Sequence, residues 1–372
     1  MSAAATCEDA RVERLAAWLC ERELDALLVT APVNVRYLTG FTGSTGLALV
    51  LAGAEGGSSH GRFFTDFRYR TQSAEQVAAS FAREIVVGNL IDAAAATLAG
   101  AGGRLGFDDA GLTVAAHTRL RDALPGGWEL APCAGAVERL RAVKDEREVE
   151  RMRAAARLAD EALRGLLEDG VVGRSEREVA IDLELRMRRL GAEAPSFPSI
   201  VAGGAHGALP HAEPREEPIA RDVLLTIDWG AVYEGYCSDC TRTYATGERV
   251  SARAREIYEL VLAAQEAGVA AVTAGPTGRE VDAVARAVID DAGEGEQFGH
   301  GLGHGVGMEV HEAPRLSRTE GERALSAGNV VTVEPGVYLP GELGVRIEDL
   351  LVVREDGHEV LNGLDKALTV IS

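Results

Sequence analysis

The segment 223–244, with the sequence VLLTIDWGAVYEGYCSDCTRTY, constrains the possible fold of this chain more than any other stretch. Residues 223–228 are mainly leucine and β-branched residues, a composition that favours a buried strand. This run ends in Asp228, and the second half of the segment contains Asp239 and Thr241. Because residues i and i+2 of a strand share a face, Asp239 and Thr241 point in the same direction. The segment therefore predicts two strands that carry two carboxylates into an apolar sheet.

Two carboxylates in an apolar sheet need a counter-charge, because an isolated buried carboxylate is costly. A bound metal ion is one candidate partner. Ion pairs with arginines such as Arg242 or Arg346 are the other, and this segment alone does not separate the two alternatives.

Three later segments add further acids and histidines. Residues 300–312, HGLGHGVGMEVHE, place three histidines among glycines, which let the backbone approach a ligand closely. Residues 330–338, VVTVEPGVY, contain Glu334, and residues 344–353, GVRIEDLLVV, contain Glu348. The sequence thus predicts four acids, each inside a strand that otherwise looks buried.

Four carboxylates and one neutral imidazole carry four negative charges, which two divalent cations balance. A ligand set rich in oxygen, with one imidazole and no thiolate, suits manganese, cobalt, ferrous iron, magnesium or zinc, and of these we expect manganese. The combined segments therefore favour a two-metal site over a structural network of ion pairs.

The acids and one histidine follow in the order Asp228, Asp239, His304, Glu334, Glu348, within the words DWGAVYEGYCSDCTRT, GHGLGHGVGMEVHE, VEPGVY and GVRIED. This pattern resembles the pita-bread metallopeptidases, which comprise Xaa-Pro aminopeptidases, Xaa-Pro dipeptidases (prolidases) and methionine aminopeptidases. The N-terminal words NVRYLTGFTGS, FFTDFRYRTQS and LRAVKDEREVERMR resemble the proline peptidases more loosely. The implied fold is an α/β creatinase-type N-terminal domain followed by an α+β pita-bread metallopeptidase domain.

The resemblance also implies a role for each metal ligand. Asp239 and Glu348 would bridge the two ions, while Asp228 would bind one ion and the pair His304 and Glu334 the other. Glu334 would in addition carry the proton during catalysis.

Further residues are implied to contact the substrate. His311, seven residues after His304, resembles the catalytic histidine of the family, and His211, in ALPHAEP, resembles the histidine that lines the substrate pocket. Both would donate a hydrogen bond to the substrate carbonyl or its developing oxyanion. His300 and Arg346 complete the predicted substrate-binding set, and Arg346 shares a strand face with Glu348.

The chain divides by pattern into a creatinase-type domain over residues 1–137, a charged linker helix over 138–148, and a catalytic pita-bread domain over 149–372. Strands alternate with helices in the first domain, which is typical of an α/β fold. Residues 34–46 are predicted to be turn-rich, and residues 53–61 to form a loop rich in glycine and serine.

The second domain is predicted to contain an approximate internal repeat. Helices near 145–168 and 175–190 precede the strands with the two aspartates. Helices near 251–273 and 278–292 precede the strands with the two glutamates. Two αα-ββ units facing each other would hold the metals between them.

Composition narrows the possible partners and location. The net charge of −20 argues against nucleic acid or an anionic membrane as a partner. No apolar run approaches the ~18 residues that span a bilayer, and no signal peptide is evident. Five scattered cysteines indicate a reducing compartment, so we expect a cytoplasmic protein.

These observations predict a dinuclear metal-dependent peptidase that hydrolyses the Xaa-Pro bond at the N-terminus of short peptides with proline in second position. This is the activity of an Xaa-Pro aminopeptidase, and the sequence leaves an Xaa-Pro dipeptidase open. A non-catalytic binding module on the same fold is a more remote alternative, because such a module is expected to have lost ligands. The resemblance further implies a homodimer.

Overall fold

The computed structural model describes residues 6–53, 61–98, 100 and 102–372. The chain forms two compact units, Met1–Arg141 and Ala142–Ser372. The loop predicted over 53–61 lies almost wholly outside the described residues. Among the described residues, no helix is both long and apolar enough to cross a membrane.

The first unit is built on a six-stranded mixed sheet in the order β4-β3-β2-β1-β5-β6. Its helices are α1 (Cys7–Glu21), α2 (Pro32–Thr39), α3 (Arg70–Gln76), α4 (Leu90–Ala96), α5 (Val114–Ala123) and α6 (Glu138–Arg141), and its strands are β1 (Ala26–Val29), β2 (Leu47–Leu51), β3 (Gly61–Thr65), β4 (Phe81–Ile85), β5 (Gly103–Phe107) and β6 (Trp128–Pro132). Strand β2 pairs antiparallel with both neighbours, whereas the outer pairs are parallel. This is the predicted α/β domain with a mixed sheet.

The turn-rich interpretation of residues 34–46 is wrong for its first part, which belongs to helix α2. Pro32 stands at the first position of this helix, where its fixed φ fits the helix and its missing N–H costs nothing. Gly40 then ends the helix with a left-handed φ of 78°.

The second unit contains four long helices and thirteen strands among its described residues. The helices are α7 (Glu146–Glu168), α8 (Glu176–Arg189), α9 (Ala252–Ala271) and α10 (Gly278–Asp291), and the strands are β7 (Ala194–Pro195), β8 (Ile200–Gly203), β9 (Leu224–Trp229), β10 (Ala231–Tyr233), β11 (Tyr236–Cys237), β12 (Cys240–Ala245), β13 (Gly303–Gly305), β14 (Glu312–Leu316), β15 (Val330–Val333), β16 (Gly336–Leu339), β17 (Leu343–Arg346), β18 (Asp349–Arg354) and β19 (Gly357–Val360).

The predicted repeat of helix pairs is confirmed. Helices α7 and α8 precede the sheet β12-β9-β8, and helices α9 and α10 precede the sheet β14-β13-β15-β18-β19. Each helix begins at a residue whose side chain accepts a backbone N–H: Asp145, Ser175, Ser251 and Thr277. Such caps satisfy amide groups that have no partner within the helix.

Each helix pair covers its own hydrophobic core. Helices α7 and α8 pack on β9, and helices α9 and α10 pack on β15, β17 and β18. Trp229, which follows Asp228 in β9, is fully buried and donates its indole N–H to the Ala159 carbonyl of α7 at 2.9 Å. This contact fixes the strand that carries the first acid.

The predicted linker helix over 138–148 is not one continuous helix. Residues Glu138–Arg141 form the short helix α6, and α7 starts only after Asp145. The side chain of Asp145 accepts the Glu148 N–H, while the Glu148 carboxylate accepts the Asp145 N–H. This capping box begins a new helix, so the charged run is divided between two elements.

Candidate active site

The four predicted acids stand at different places in the sheets of the second unit. Asp228 lies inside β9, as predicted. The prediction is wrong for the other three: Asp239 lies between β11 and β12, Glu334 directly follows β15, and Glu348 lies between β17 and β18. A strand interior sends alternate side chains to opposite faces, whereas a break lets the backbone turn a side chain inward. Side chains from several strands can therefore meet at one point.

Asp228, Asp239 and Glu348 form a carboxylate cluster. Each side chain is buried, and each offers an oxygen within 4.8 Å of the others. The Thr241 hydroxyl donates to Glu348 Oε2 at 2.7 Å. Asp228 Oδ1 is buried and has no hydrogen-bond partner among the described residues. A buried acceptor without a donor is costly, so this oxygen is well suited to a cation.

His304 and Glu334 lie beside this cluster. His304 Nε2 is 3.2 Å from Glu334 Oε1 and 3.8 Å from Asp239 Oδ2. The Thr332 hydroxyl accepts the backbone N–H of His304 at 3.1 Å and donates to Glu334 Oε1 at 3.0 Å. One threonine thus links the backbone at His304 to the side chain of Glu334, and the five predicted ligands converge on one region.

The electrostatics of the cluster follow from burial and repulsion between like charges. Burial raises the pKa of Asp239 and Glu348 well above the ordinary values, and neighbouring carboxylates raise it further. Burial also raises the pKa of Asp228, although Arg346 opposes this shift. For Glu334, burial acts in the same direction, but the hydrogen bond and charge of His304 outweigh it and lower the pKa to about 2.

The ion-pair alternative applies to only one acid of the cluster. Arg346 Nη2 is 2.7 Å from Asp228 Oδ2, while its Nε donates to Thr241. Arg242 pairs instead with Asp349, at 2.7 Å. Within the described residues, no lysine or arginine forms an ion pair with the other two acids of the cluster. Their repulsion therefore leaves a demand for further positive charge.

A cavity of about 800 Å³ opens over this cluster. It is lined by all the predicted site residues: Asp228, Asp239, Glu334, Glu348, His211, His300, His304, His311 and Arg346.

Besides His304, three histidines line the cavity, and they differ in how they are held. His300 is fixed, because its Nδ1 lies 2.7 Å from the Gly301 carbonyl and its Nε2 lies 3.0 Å from the Tyr338 hydroxyl. The His311 ring packs on the His304 ring with 4.3 Å between centroids. His211 is exposed, and its ring makes no hydrogen bond within the described part of the chain. The rings of His211 and His311 thus have nitrogens available to a substrate.

The cavity wall also contains Arg315, which the sequence interpretation missed. Arg315 lies in β14, directly across from His304 in β13. No acid pairs with its exposed side chain among the described residues. Its position depends on strand register, so its own sequence neighbourhood gives no signal for it.

A further part of the wall is apolar and was also missed. Phe197, Pro198, Ile200 and Val310 line the cavity beside the polar groups. A pocket with an apolar wall and a few convergent polar groups is the usual form of a small-molecule site.

Two family models match the chain. The model for metallopeptidase family M24 matches residues 150–355, and the model for the creatinase/prolidase N-terminal domain matches residues 11–143. Together the matches confirm the predicted family and fold class.

Similar proteins cover nearly the whole chain. The uncharacterized peptidase YqhT of Bacillus subtilis (strain 168) is 42% identical over 97% of this chain and 100% of that protein. The structure of an Xaa-Pro dipeptidase from Bacillus anthracis is 40% identical, with a TM-score of 0.91 over 98% of this chain and 99% of that one. The structure of an X-Pro aminopeptidase from Thermotoga maritima MSB8 is 35% identical, with a TM-score of 0.86 over 97% and 99% of the two chains. The chain therefore belongs to metallopeptidase family M24 and carries the creatinase/prolidase N-terminal domain of its proline-peptidase members.

Proposed function

We propose that this chain is a dinuclear metal-dependent peptidase that hydrolyses the bond before proline in short peptides. The observation that carries the proposal is the convergence of four carboxylates and His304 at a cavity with two available histidines in its wall. The similarity to an Xaa-Pro dipeptidase and an X-Pro aminopeptidase supports the same substrate class.

The donor set fits two divalent ions. The carboxylate cluster offers three buried acids, one of which has an oxygen with no hydrogen-bond partner in the described part of the chain, and His304 with Glu334 offers a second group of donors. Oxygen ligands with one imidazole suit manganese, cobalt, ferrous iron or zinc, and of these we propose manganese. Bound divalent ions would polarise the scissile carbonyl and make water a stronger nucleophile at neutral pH.

The side chains of the wall would then act on the substrate. We infer that His311 and His211 each donate an N–H to the carbonyl oxygen as negative charge develops on it. Glu334 lines the cavity and would carry the proton toward the leaving nitrogen. Arg346 remains a proposed substrate-binding residue. Its hydrogen bonds to Asp228, Thr241 and Tyr338 also orient these three side chains.

Both proposed substrate types fit this site, and Arg315 favours the dipeptide. The product of an Xaa-Pro dipeptide is free proline, whose carboxylate must enter the cavity with the ring. Arg315 places in the cavity wall a guanidinium that has no acidic partner among the described residues, and a guanidinium binds a carboxylate with two parallel hydrogen bonds. The apolar wall near Phe197 and Ile200 suits the pyrrolidine ring.

The function is tested with manganese-loaded protein and the peptides Ala-Pro, Ala-Pro-Ala, Ala-Ala and Ala-Ala-Ala. We expect hydrolysis at proline, with the dipeptide cleaved most efficiently. Cleavage of the tripeptide in preference to the dipeptide would assign the chain as an aminopeptidase. Equal rates on the alanine peptides would refute proline selectivity, and two bound ions without any hydrolysis would favour a non-catalytic binding module.

Arg315→Gln separates the two peptidase activities. Loss of a charged hydrogen-bonding partner costs about 1.5–3 kcal/mol, so KM for Ala-Pro should rise about ten- to a hundredfold. The change for Ala-Pro-Ala should be much smaller. Arg318→Gln is the matched control, since Arg318 is a nearby exposed arginine that does not line this cavity.

We also propose that the protein is a cytoplasmic homodimer, which rests on the family resemblance and the scattered cysteines. Light scattering on the purified protein tests the oligomeric state. A monomer at micromolar concentration would refute the dimer.

A further inference from the structure

The residues 203–215, here called the His211 loop, begin at the end of β8 and include the short 3-10 helix Gly204–Ala208. His211 stands on this loop and makes no hydrogen bond with its ring within the described part of the chain. Its position in the cavity wall therefore depends on how the backbone of the loop is held.

One buried carboxylate holds both ends of the loop. Glu176, near the start of α8, is 2% exposed. At the first end, Glu176 Oε1 accepts the Gly203 N–H at 2.9 Å, and Oε2 lies 2.8 Å from His206 Nδ1. At the second end, Oε2 accepts the Arg215 backbone N–H at 3.1 Å and its Nε–H at 3.2 Å. These contacts form what we call the Glu176 clasp.

The charge of Glu176 is maintained inside the clasp. Burial opposes ionisation, but the hydrogen bonds from Arg215 and Gly203 outweigh it and lower the pKa below the ordinary value. The carboxylate is therefore ionised at neutral pH and accepts from several donors at once, which makes these hydrogen bonds stronger than neutral ones.

The middle of the loop is tied to the active site by other contacts. Arg346 donates to the Pro210 carbonyl at 3.2 Å. The loop also passes so close to β17 that a Cβ on Gly344 would lie 1.8 Å from the Gly207 carbonyl oxygen. The clasp and these contacts together fix the loop on both sides of His211.

We propose that Glu176 is a positioning residue for the peptidase reaction, acting through the His211 loop. The expected effect on peptide hydrolysis rests on the proposed function. The expected effect on the order of the His211 loop does not. No sequence pattern assigns Glu176 to the active site, because an acid in the first turn of a helix is ordinarily explained by the helix dipole.

The test substitutes Glu176→Gln, which keeps the shape but loses acceptor capacity and charge. We expect faster hydrogen exchange at the Gly203 and Arg215 amides, two bound metal ions as before, and kcat/KM lower by about ten- to a hundredfold, because small misplacements of a catalytic group have effects of this size. In a His211→Ala background the same substitution should cause almost no further loss, as expected for residues that act together.

Glu216→Gln is the matched control. Glu216 pairs with Arg177 at 3.3 Å and so links the same helix to the same part of the chain, but both side chains are exposed, 74% and 62%. Exposed pairs contribute little, so exchange and kcat/KM should not change. If Glu176→Gln does not fold, Arg215→Gln removes the side-chain hydrogen bonds at one end of the clasp and should give the same coupling to His211 with a smaller loss.

Unchanged exchange in the loop, or an equal loss of activity with and without His211, would overturn the proposal. If the unmodified chain fails to cleave proline peptides, the proposed function falls, and the exchange experiment still decides whether the clasp holds the loop.

Discussion

In each half of the second unit, a buried charged residue on the second helix of a pair holds the segment that carries a histidine of the cavity wall. The two halves differ in where the counter-charge lies. In the second half, Asp282 and Arg286 pair within helix α10, with distances of 2.8 Å from each carboxylate oxygen. Arg286 then donates to the carbonyls of Phe298 and His300. In the first half, Glu176 has its cationic partner, Arg215, on the loop itself.

This difference decides whether the buried charge keeps its counter-charge when the segment with the histidine is not in place. The Asp282–Arg286 pair is nearly fully buried, with side chains 0% and 5% exposed, and is neutral whether or not the segment with His300 is in place. The negative charge of Glu176 is balanced by Arg215, which lies on the loop and is 43% exposed, so this balance depends on the position of the loop. We therefore expect the segment with His300 to resist local unfolding more than the His211 loop does.

The largest expected effect is on metal binding, to which both halves contribute. Asp239→Asn in the first half and Glu348→Gln in the second should each leave fewer than two bound ions. Activity should fall by more than the roughly 10- to 100-fold loss that is typical when a residue hydrogen-bonded to a metal ligand is removed. Elemental analysis and peptide hydrolysis measure both.

Glu234→Gln is the control, since Glu234 lies shortly before Asp239, in the turn between β10 and β11, but its carboxylate is exposed. Two retained ions with normal turnover in either ligand variant would mean that the ligand assignment is wrong for that half.

The second effect is on the free energy of unfolding and compares the Asp282–Arg286 pair directly with Glu176. Arg286→Met leaves Asp282 buried without its partner, so the free energy of unfolding should fall by about 3–5 kcal/mol. Glu176→Gln should cost less, because its partner Arg215 can turn to water. Urea unfolding of both variants tests this order, and equal or reversed losses would remove the distinction between the two halves.

The third effect concerns the histidines that a substrate can reach. His311→Ala should keep both metal ions and lower kcat about a hundredfold, as for the removal of one oxyanion donor. His358→Gln, which alters a histidine bonded to the Val272 carbonyl and outside the cavity, should leave kcat unchanged. Normal turnover of His311→Ala with its metals intact would remove His311 from the mechanism.

The sequence was sufficient to predict the fold, the repeat and the polar residues of the carboxylate cluster and its histidines, but not the whole cavity wall. The features that the sequence did not predict depend on tertiary contacts. Glu334 and Glu348 have strand-like neighbours, and only the tertiary packing places them at strand breaks. Arg315 depends on the register between β13 and β14, and Glu176 depends on a loop that returns to α8 about 30–40 residues later. Contacts of this kind leave no pattern in the adjacent sequence.

The smallest effect is a pH dependence of the unfolding free energy that arises from Glu176, in the first half. The folded pKa of Glu176 lies below its ordinary value of 4.5, because the hydrogen bonds of the clasp outweigh burial. A depressed carboxyl pKa contributes stability that is present above the unfolded pKa and is lost as the pH falls through the folded pKa. The difference in unfolding free energy between the unmodified chain and Glu176→Gln should therefore be largest above pH 4.5 and shrink below it. Other carboxyl groups titrate in both proteins and cancel in this difference. The same comparison with Glu216→Gln should be nearly flat, and a difference for Glu176→Gln that grows toward acid pH would contradict the ionised clasp.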